Sequence, residues 1–323
     1  MNEDKIQVYG ESMEKEETLK DLLGENTLPD DSDSVSKIAV IGAGQMGLGI
    51  AHVVSAKGLE VLIIERDKES LDARMQRLEQ LLDNEIARWS MTSSDKRAIL
   101  SRINGITDLV EIEGYPIIIE AVSEDHIIKT SLFKRLDVLA SKESILVTNT
   151  STLSVTELAE CTSRPGQVIG MHFLYPVPKR PLVEIVRGLK TSDETFGIIE
   201  KFATEIGKKV VEVYESPGYV TTRIILPMLN EAMYALMEGV ASAEGIDTAM
   251  RYGYDFDYGP LSLADQMGLD EVMKWMESMF HETGDLKYRP CPLLRKLVRA
   301  GKLGVKTGSG FFTYDDRGRK VMV

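Results

Sequence analysis

A histidine and a glutamate stand close together in the stretch "MHFLYPVPKRPLVEIV", and both are unusual for their surroundings. His172 lies near the end of the apolar run "VIGMHF", and Glu184 follows twelve residues later inside the apolar run "LVEIV". A carboxylate bound to one imidazole nitrogen fixes the tautomer and makes the other nitrogen a general base near neutral pH. We therefore expect His172 and Glu184 to meet and to remove a proton, for which an alcohol hydroxyl is a suitable source.

A serine in another strand-terminal segment adds a hydrogen-bonding group. The segment "SILVTNTS" ends with Asn149 and Ser151, and the serine hydroxyl can bind a substrate oxygen. Two other interpretations stay open at this point. His172 could be a buried residue that Glu184 merely satisfies, or Ser151, His172 and Glu184 could form a hydrolase triad. The segment lacks the G-x-S-x-G turn that presents the serine of many such triads.

A glycine-rich turn in "AVIGAGQMGLGIA" indicates a second binding partner that carries phosphates. Gly42, Gly44 and Gly47 have the spacing G-x-G-x-x-G between an apolar strand pattern and a helix pattern, as dinucleotide-binding turns do. Glu65 ends the next strand pattern, where a carboxylate can bind ribose hydroxyls and repel a 2′-phosphate. The turn therefore predicts NAD. Arg66 leaves NADP open, and a glycine turn used only for packing is the other alternative.

These groups need a scaffold, and the hydrophobic pattern from Lys37 onward predicts one. Short apolar runs alternate with longer stretches of helical periodicity, which is typical of a parallel sheet with helices on both faces. Beyond Gly218 the pattern is helical only. We predict an α/β fold with a Rossmann-type, mainly parallel sheet and a second, all-helical domain. The expected parts are an acidic N-terminal extension at 1–36, an NAD-binding domain at 37–216 and a helical domain at 217–323.

Composition argues against several classes of function. The 323 residues carry a net charge of −13, so nucleic acid is not expected as a partner. The two cysteines, Cys161 and Cys291, are far apart and predict neither a disulfide framework nor a metal site. No apolar run reaches the ~18 residues of a membrane span, and the N-terminus lacks a signal-peptide pattern. We therefore expect a cytoplasmic protein that has no metal and does not bind a membrane.

Several ordered motifs resemble those of the L-3-hydroxyacyl-CoA dehydrogenase family, which includes 3-hydroxybutyryl-CoA dehydrogenases. They are found between residues 37 and 314 and include "VIGAGQMGLGIA", "IIEAVSEDHIIKTSLFKRLD", "TNTSTLS", "IGMHF", "PLVEIVRG", "ESPGYV", "GPLSLADQMGLD" and "LGVKTGSGFFTY". The resemblance implies NAD-linked oxidation of an L-3-hydroxyacyl-CoA, or the reverse reaction, by a homodimer. It implies that His172 is the catalytic base, that Glu184 is its partner and that Ser151 binds the substrate hydroxyl. The cofactor contacts that it implies are Gly42, Gly44, Gln45, Met46, Gly47, Glu65, Glu124, Lys129 and Asn149.

The chain departs from the family pattern on the substrate side. Tyr175 in "HFLYP" and Thr222 in "PGYVTTR" each replace an asparagine, and "DYGP" at 257–260 replaces "PMGP". Where the family pattern has a lysine-rich run, this chain has "ARWS" at 87–90, in which only Arg88 keeps a charge. Lys179 and Arg180 could bind a distal carboxylate of the substrate, or they could be a solvated basic pair. The predicted substrate contacts are Ser151, Tyr175, Arg180, Thr222 and Arg88.

Three functions are compatible with these residues. The first is NAD-dependent oxidation of an L-3-hydroxyacyl-CoA to the 3-ketoacyl-CoA. The nearest alternative is a dehydrogenase of the same fold that acts on a free 3-hydroxy acid without CoA. A non-catalytic NAD-binding protein is the more distant alternative, because two asparagines of the family pattern are missing.

Overall fold

The computed structural model describes residues 35–315 and 317–321, and residues 1–34 of the predicted acidic extension lie outside this description. The described residues form one sheet of eight strands, in the order β3-β2-β1-β4-β5-β6-β7-β8. The first six strands are parallel to one another, β7 is antiparallel to β6, and β8 is parallel to β7. The strands are β1 Lys37–Ile41, β2 Glu60–Ile64, β3 Ile103–Ile106, β4 Ile117–Glu120, β5 Ile145–Thr148, β6 Val168–Phe173, β7 Leu182–Arg187 and β8 Lys209–Tyr214.

The central strands are apolar on both sides because the sheet is covered on both faces. In β1, Ile38 and Val40 belong to one cluster of buried residues, whereas Ala39 and Ile41 belong to another. Successive side chains of a strand point to opposite faces, so the near-continuous apolar runs in the sequence correspond to burial on both faces. The mainly parallel sheet predicted from these runs is confirmed.

Eleven helices connect and follow the strands in the described part of the chain. Many of them begin at a side chain that accepts a hydrogen bond from the first turn, such as Asp67 before α2 and Asp125 before α4. The helices are α1 Gln45–Ala56, α2 Lys68–Ala87, α3 Ser93–Leu100, α4 His126–Leu139, α5 Val155–Glu160, α6 Asp193–Glu205, α7 Thr221–Met237, α8 Ala243–Tyr254, α9 Pro260–Met267, α10 Leu269–Thr283 and α11 Pro292–Arg299.

The structure changes character after β8. From Thr221 to Arg299 the regular elements are helices, and their apolar faces form a buried cluster separate from the two that cover the sheet. The predicted helical part is therefore present. By contacts, residues 35–323 nevertheless form one compact unit, so a domain boundary between 216 and 217 stays a prediction. None of the described helices is both long and apolar enough to cross a lipid bilayer.

Candidate active site

Several of the site residues predicted from the sequence lie at the carboxyl ends of the central strands. From the central pair β1 and β4, the strand order continues to β2 and β3 on one side and to β5 and β6 on the other. Such a reversal of strand order opens a crevice at the carboxyl ends of the strands. Gly42 follows β1, Glu65 follows β2, Asn149 follows β5 and His172 lies near the end of β6. The topology thus collects at one edge groups that are far apart in the sequence.

Each of the three positions of the turn favours glycine for a different structural reason. Gly42 has φ +95°, and a Cβ there would lie 2.8 Å from the carbonyl oxygen of Ala121. A Cβ on Gly47 would lie 1.9 Å from the carbonyl oxygen of Gly42, so only glycine allows α1 to pack against the turn. A Cβ on Gly44 would meet no protein atom within 4 Å. The space beside Gly44 is therefore open to a ligand, as a dinucleotide requires.

The first turn of α1 faces this space without a protein cap. Gly44 is the N-cap residue and offers no side-chain hydrogen bond, and the first turn carries no acidic residue. The first N–H groups of a helix lack partners inside the helix, and they favour negative charge. Gln45, Met46 and Gly47 form this turn, and it fits a pyrophosphate.

Glu65 lies next to the glycine turn, at the end of β2. Its Oε2 accepts a hydrogen bond from the N–H of Ala43 at 2.9 Å, and its Oε1 accepts one from the N–H of Arg66 at 3.0 Å. The guanidinium of Arg66 turns to Asp67, with 2.9 Å between Nε and Oδ2. A carboxylate therefore stands where the adenosine ribose is expected, and the neighbouring arginine is paired. Both features favour NAD over NADP.

His172, Glu184 and Ser151 form a continuous hydrogen-bonded series. His172 and Glu184 are direct partners in the antiparallel pairing of β6 with β7. Nδ1 of the imidazole lies 2.6 Å from Oε2 of Glu184, and Nε2 lies 3.2 Å from Oγ of Ser151. Glu184 is fully buried, and 5% of His172 is exposed. A carboxylate on Nδ1 leaves Nε2 as the nitrogen that can exchange a proton with a ligand.

Glu184 is held by the start of α7 as well as by His172. Its Oε1 accepts hydrogen bonds from the N–H groups of Val220 at 3.0 Å and Thr221 at 2.8 Å, and its Oε2 accepts one from the Thr221 hydroxyl at 2.8 Å. Burial raises the pKa of Glu184, but the bonds from His172 and Thr221 outweigh burial and hold the pKa below its ordinary value. Glu184 is therefore a carboxylate at neutral pH.

Tyr219 closes the other side of the imidazole. It adopts a left-handed backbone conformation with φ +50°, which is unusual for a bulky residue, and its ring centroid lies 5.4 Å from that of His172. Its hydroxyl donates to the carbonyl of Leu153 at 3.4 Å. Burial, together with neighbouring carboxylates, raises the pKa of Tyr219 well above its ordinary value, so it acts as a neutral hydrogen-bond donor.

A second polar network supports the segment that carries Ser151. The ammonium of Lys129 is 1% exposed and lies 2.8 Å from Oε1 of Glu120 and 3.1 Å from Oε2 of Glu124. Glu120 is fully buried and also accepts a hydrogen bond from the Thr148 hydroxyl at 2.7 Å. Burial opposes the charge of Lys129, but the two carboxylates outweigh it and raise its pKa; burial raises the pKa of Glu120, the deeper acid.

Glu124 connects this network to Ser151. Its side chain is 31% exposed, and its Oε1 accepts hydrogen bonds from the N–H groups of Ser151 at 2.9 Å and Thr152 at 3.0 Å. Asn149 orients the same segment, because its Oδ1 accepts a hydrogen bond from the N–H of Phe173 at 3.0 Å. Glu124, Lys129 and Asn149 thus hold the turn after β5 against β6. Their predicted contact with a cofactor stays a prediction.

A cavity of about 320 Å³ lies between α1, α2 and residues 175–179, and Gln45 of the glycine turn is part of its lining. Tyr175 and Lys179 line it together with Arg74 and Arg77, and the ammonium of Lys179 lies 3.6 Å from Oε1 of Glu85. The other predicted substrate contacts lie outside this lining: Arg180 follows the turn, Thr222 is buried in the first turn of α7, and Arg88 is exposed at the end of α2.

The sequence prediction missed several supporting residues, among them Glu120, Tyr219 and Thr221. Glu120 ends the buried run "PIIIE", and a charged residue in such a position was a usable signal. Thr221 lies 37 residues from Glu184 and bonds to it only because α7 starts beside β7. No local sequence pattern around Thr221 predicts this contact.

Comparisons with known proteins agree with the geometry. Residues 37–216 match the family model described as 3-hydroxyacyl-CoA dehydrogenase, NAD binding domain, and residues 218–314 match 3-hydroxyacyl-CoA dehydrogenase, C-terminal domain. A probable 3-hydroxybutyryl-CoA dehydrogenase from Bacillus subtilis is 44% identical over 283 residues, which cover 88% of this chain and 99% of that protein. A 3-hydroxybutyryl-CoA dehydrogenase from Clostridioides difficile is 43% identical over 279 residues, with 86% and 99% covered.

A solved structure has the same fold. The crystal structure of (S)-3-hydroxybutyryl-CoA dehydrogenase from Ralstonia eutropha aligns with a TM-score of 0.81 and 40% identity, and the alignment covers 88% of this chain and 100% of that chain. The predicted Rossmann-type fold with a helical second part is confirmed, and so is NAD as the cofactor of the matched domain. With two family models spanning most of its length and relatives above 40% identity, the chain belongs to the 3-hydroxyacyl-CoA dehydrogenase family.

Proposed function

We propose that the protein catalyses the NAD-dependent oxidation of an L-3-hydroxyacyl-CoA to the 3-ketoacyl-CoA, or the reverse reaction. The observation that carries the proposal is the pairing of His172 with Glu184, which leaves Nε2 of the imidazole beside the Ser151 hydroxyl. The pair lies at the same sheet edge as the dinucleotide-binding turn. The names of the relatives support the same reaction.

Each residue of the series has a separate role in the oxidative direction. Nε2 of His172 accepts the proton of the C3 hydroxyl, and the Glu184 carboxylate stabilises the imidazolium that forms. The hydroxyl of Ser151 donates a hydrogen bond to the C3 oxygen and holds it within reach of Nε2. Bound NAD supplies the acceptor for the hydride from C3. In the reverse direction His172 returns the proton as a general acid.

The surroundings of the series favour this proton transfer. His172 is almost fully buried, so its orientation is fixed by Glu184 on one side and by the Tyr219 ring on the other. Glu124 fixes the backbone of Ser151. A base and a substrate-binding hydroxyl that are already oriented lower the entropic cost of reaching the transition state. A hydrolase triad needs the same distances, but it gives no role to the dinucleotide-binding turn.

The predicted cofactor contacts divide into two groups. Gly44 and the first turn of α1 fit the phosphates, and Glu65 fits the ribose hydroxyls. Glu124, Lys129 and Asn149 are proposed for the nicotinamide end, because they lie with Ser151 around the turn after β5. We assign Lys129 an indirect part there, since its ammonium is taken up by two carboxylates.

The cavity between α1 and α2 is the proposed binding site of the CoA portion of the substrate. Arg74 and Arg77 line it and supply positive charge near the phosphates, which offsets the lost lysine run. Tyr175 from "HFLYP" lines the same cavity and is proposed to contact the acyl part. Thr222, Arg180 and Arg88 lie outside the lining of this cavity, and their contact with the substrate stays a prediction.

Reduction of acetoacetyl-CoA tests the function directly. The disappearance of NADH absorbance distinguishes the three functions in one assay series. Turnover of acetoacetyl-CoA supports the proposed reaction. Turnover of free acetoacetate alone would establish the CoA-independent alternative, and NADH binding without turnover of either compound would establish a non-catalytic protein.

We also propose that the protein works as a homodimer in the cytoplasm. The helical part exposes large apolar side chains, with Val240 72%, Ile224 66% and Tyr252 80% exposed, and a two-fold interface would bury such surface. The two cysteines are unpaired, as expected in a reducing compartment. Light scattering on the full chain and cell fractionation test the two statements.

A further inference from the structure

Glu184 receives four hydrogen bonds, and Thr221 supplies two of them. The Thr221 N–H donates to Oε1, and the Thr221 hydroxyl donates at 2.8 Å to Oε2, the same oxygen that lies 2.6 Å from Nδ1 of His172. The hydroxyl therefore shares its acceptor with the imidazole. Thr221 is also the first residue of α7, so the contact connects the helical part directly to the His–Glu pair.

Two physical effects follow from a shared acceptor oxygen. A carboxylate with donors on both oxygens cannot rotate freely, so Oε2 stays directed at the imidazole. A second donor on Oε2 also withdraws charge from it, so its attraction for an imidazolium is weaker than that of an otherwise free carboxylate oxygen. The first effect favours proton transfer, and the second limits how strongly the carboxylate stabilises the imidazolium.

We propose that Thr221 is a positioning residue for proton transfer, whose hydroxyl orients the Glu184 carboxylate and moderates its attraction for His172. The inference rests on the proposed function of His172 as the base. Thr221 itself is not required to touch either substrate or cofactor.

Other charged and titratable groups surround the His172–Glu184 pair, and a substitution of Thr221 leaves all of them in place. Tyr219 precedes α7 and packs on the imidazole. Three further carboxylates influence Tyr219: those of Glu120, Glu124 and Glu215. Lys129 forms ion pairs with Glu120 and Glu124. A change in pH dependence caused by a substitution at position 221 is therefore assigned to the lost hydroxyl.

The test compares Thr221→Val, which removes the hydroxyl and keeps the branched shape, with Thr221→Ser, which keeps the hydroxyl. For oxidation of 3-hydroxybutyryl-CoA, we expect Thr221→Val to lower kcat about 5- to 10-fold and to leave the KM for NAD unchanged. We expect the acidic limb of its kcat/KM profile to move to higher pH by about half a unit, because the imidazolium is more strongly stabilised. Thr221→Ser should stay within about twofold of the wild type in kcat.

A measurement without substrate separates this inference from the proposed function. The proton between Nδ1 of His172 and Oε2 of Glu184 should give a low-field NMR signal that moves further downfield in Thr221→Val. Thr221→Ala serves as the second variant if the valine variant does not fold. A wild type without turnover would end the proposed function. An active wild type whose Thr221→Val and Thr221→Ala variants keep its kcat, pH profile and low-field signal would overturn the inference.

Discussion

His172 and Glu184 are direct cross-strand partners in the antiparallel pairing of β6 with β7, with 2.6 Å between Nδ1 and Oε2. Direct partners in such a pairing present their side chains on the same face of the sheet. A shift of one residue in register would turn Glu184 to the opposite face and separate the pair. The apolar neighbours Val183 and Ile185 point to the face of the sheet opposite to Glu184 and are fully buried there. Their burial secures the register, because a shift would move them out of that core.

Removal of the imidazole should abolish turnover and spare cofactor binding. We expect His172→Ala to lower kcat by about 10²- to 10⁴-fold, the usual contribution of a general base. The Kd for NADH, measured by fluorescence, should change less than about threefold, because the glycine turn and Glu65 lie elsewhere along the crevice. A parallel loss of binding and turnover would show that His172 has only a structural role.

Removal of the Glu184 charge should change how stability depends on pH. The pKa of Glu184 is lowered in the folded protein, so its contribution to stability is fully present above the unfolded value of about 4.3 and is lost as pH falls through the folded pKa. We expect Glu184→Gln to be less stable than the wild type at pH 7, and the difference to shrink as the pH falls below about 4. Urea unfolding from pH 7 to pH 3 measures this. A difference that is constant over this range would contradict the assignment.

The sequence predicted the residues that carry the chemistry of the site better than the residues that hold them in place. His172, Glu65 and Asn149 lie at or near the ends of apolar runs, and parallel topology alone brings such positions to one edge. The contact from Thr221 depends instead on how α7 meets β7, which no local pattern records.

The Lys129 ammonium should be important for stability. In Lys129→Met the carboxylates of Glu120 and Glu124 would lose their shared partner, and breaking a buried ion pair in this way costs about 3–5 kcal/mol. Chemical denaturation measures the loss in the free energy of unfolding. Lys134→Met on the exposed face of the same helix is the matched control, with an expected change within about 0.5 kcal/mol. Equal effects in the two variants would argue against the buried network.

Arg180 should not select dicarboxylic substrates. The residue lies outside the lining of the cavity, and the ammonium of its neighbour Lys179 lies near Glu85, so the solvated basic pair is the better interpretation. We expect Arg180→Ala to leave the ratio of kcat/KM for monoacid and diacid thioesters of equal chain length unchanged. A preference for the diacid in the wild type that falls about tenfold or more in Arg180→Ala would instead establish a carboxylate site.

Gly44 and Gly47 should respond differently to the same substitution, because only one of them is needed for folding. A Cβ at Gly47 would lie 1.9 Å from the carbonyl oxygen of Gly42, so Gly47→Ala should destabilise the protein by about 1–3 kcal/mol or more. A Cβ at Gly44 meets no protein atom within 4 Å, and its φ of −64° suits alanine.

Gly44→Ala should therefore unfold at the same temperature as the wild type. It should nevertheless bind NADH at least about tenfold more weakly, because the methyl group occupies the space into which the phosphates must come. Gly197→Ala, also with open space at the Cβ but within α6, is the control for an added methyl group. Normal NADH affinity in a folded Gly44→Ala protein would mean that the dinucleotide does not approach the chain at this turn.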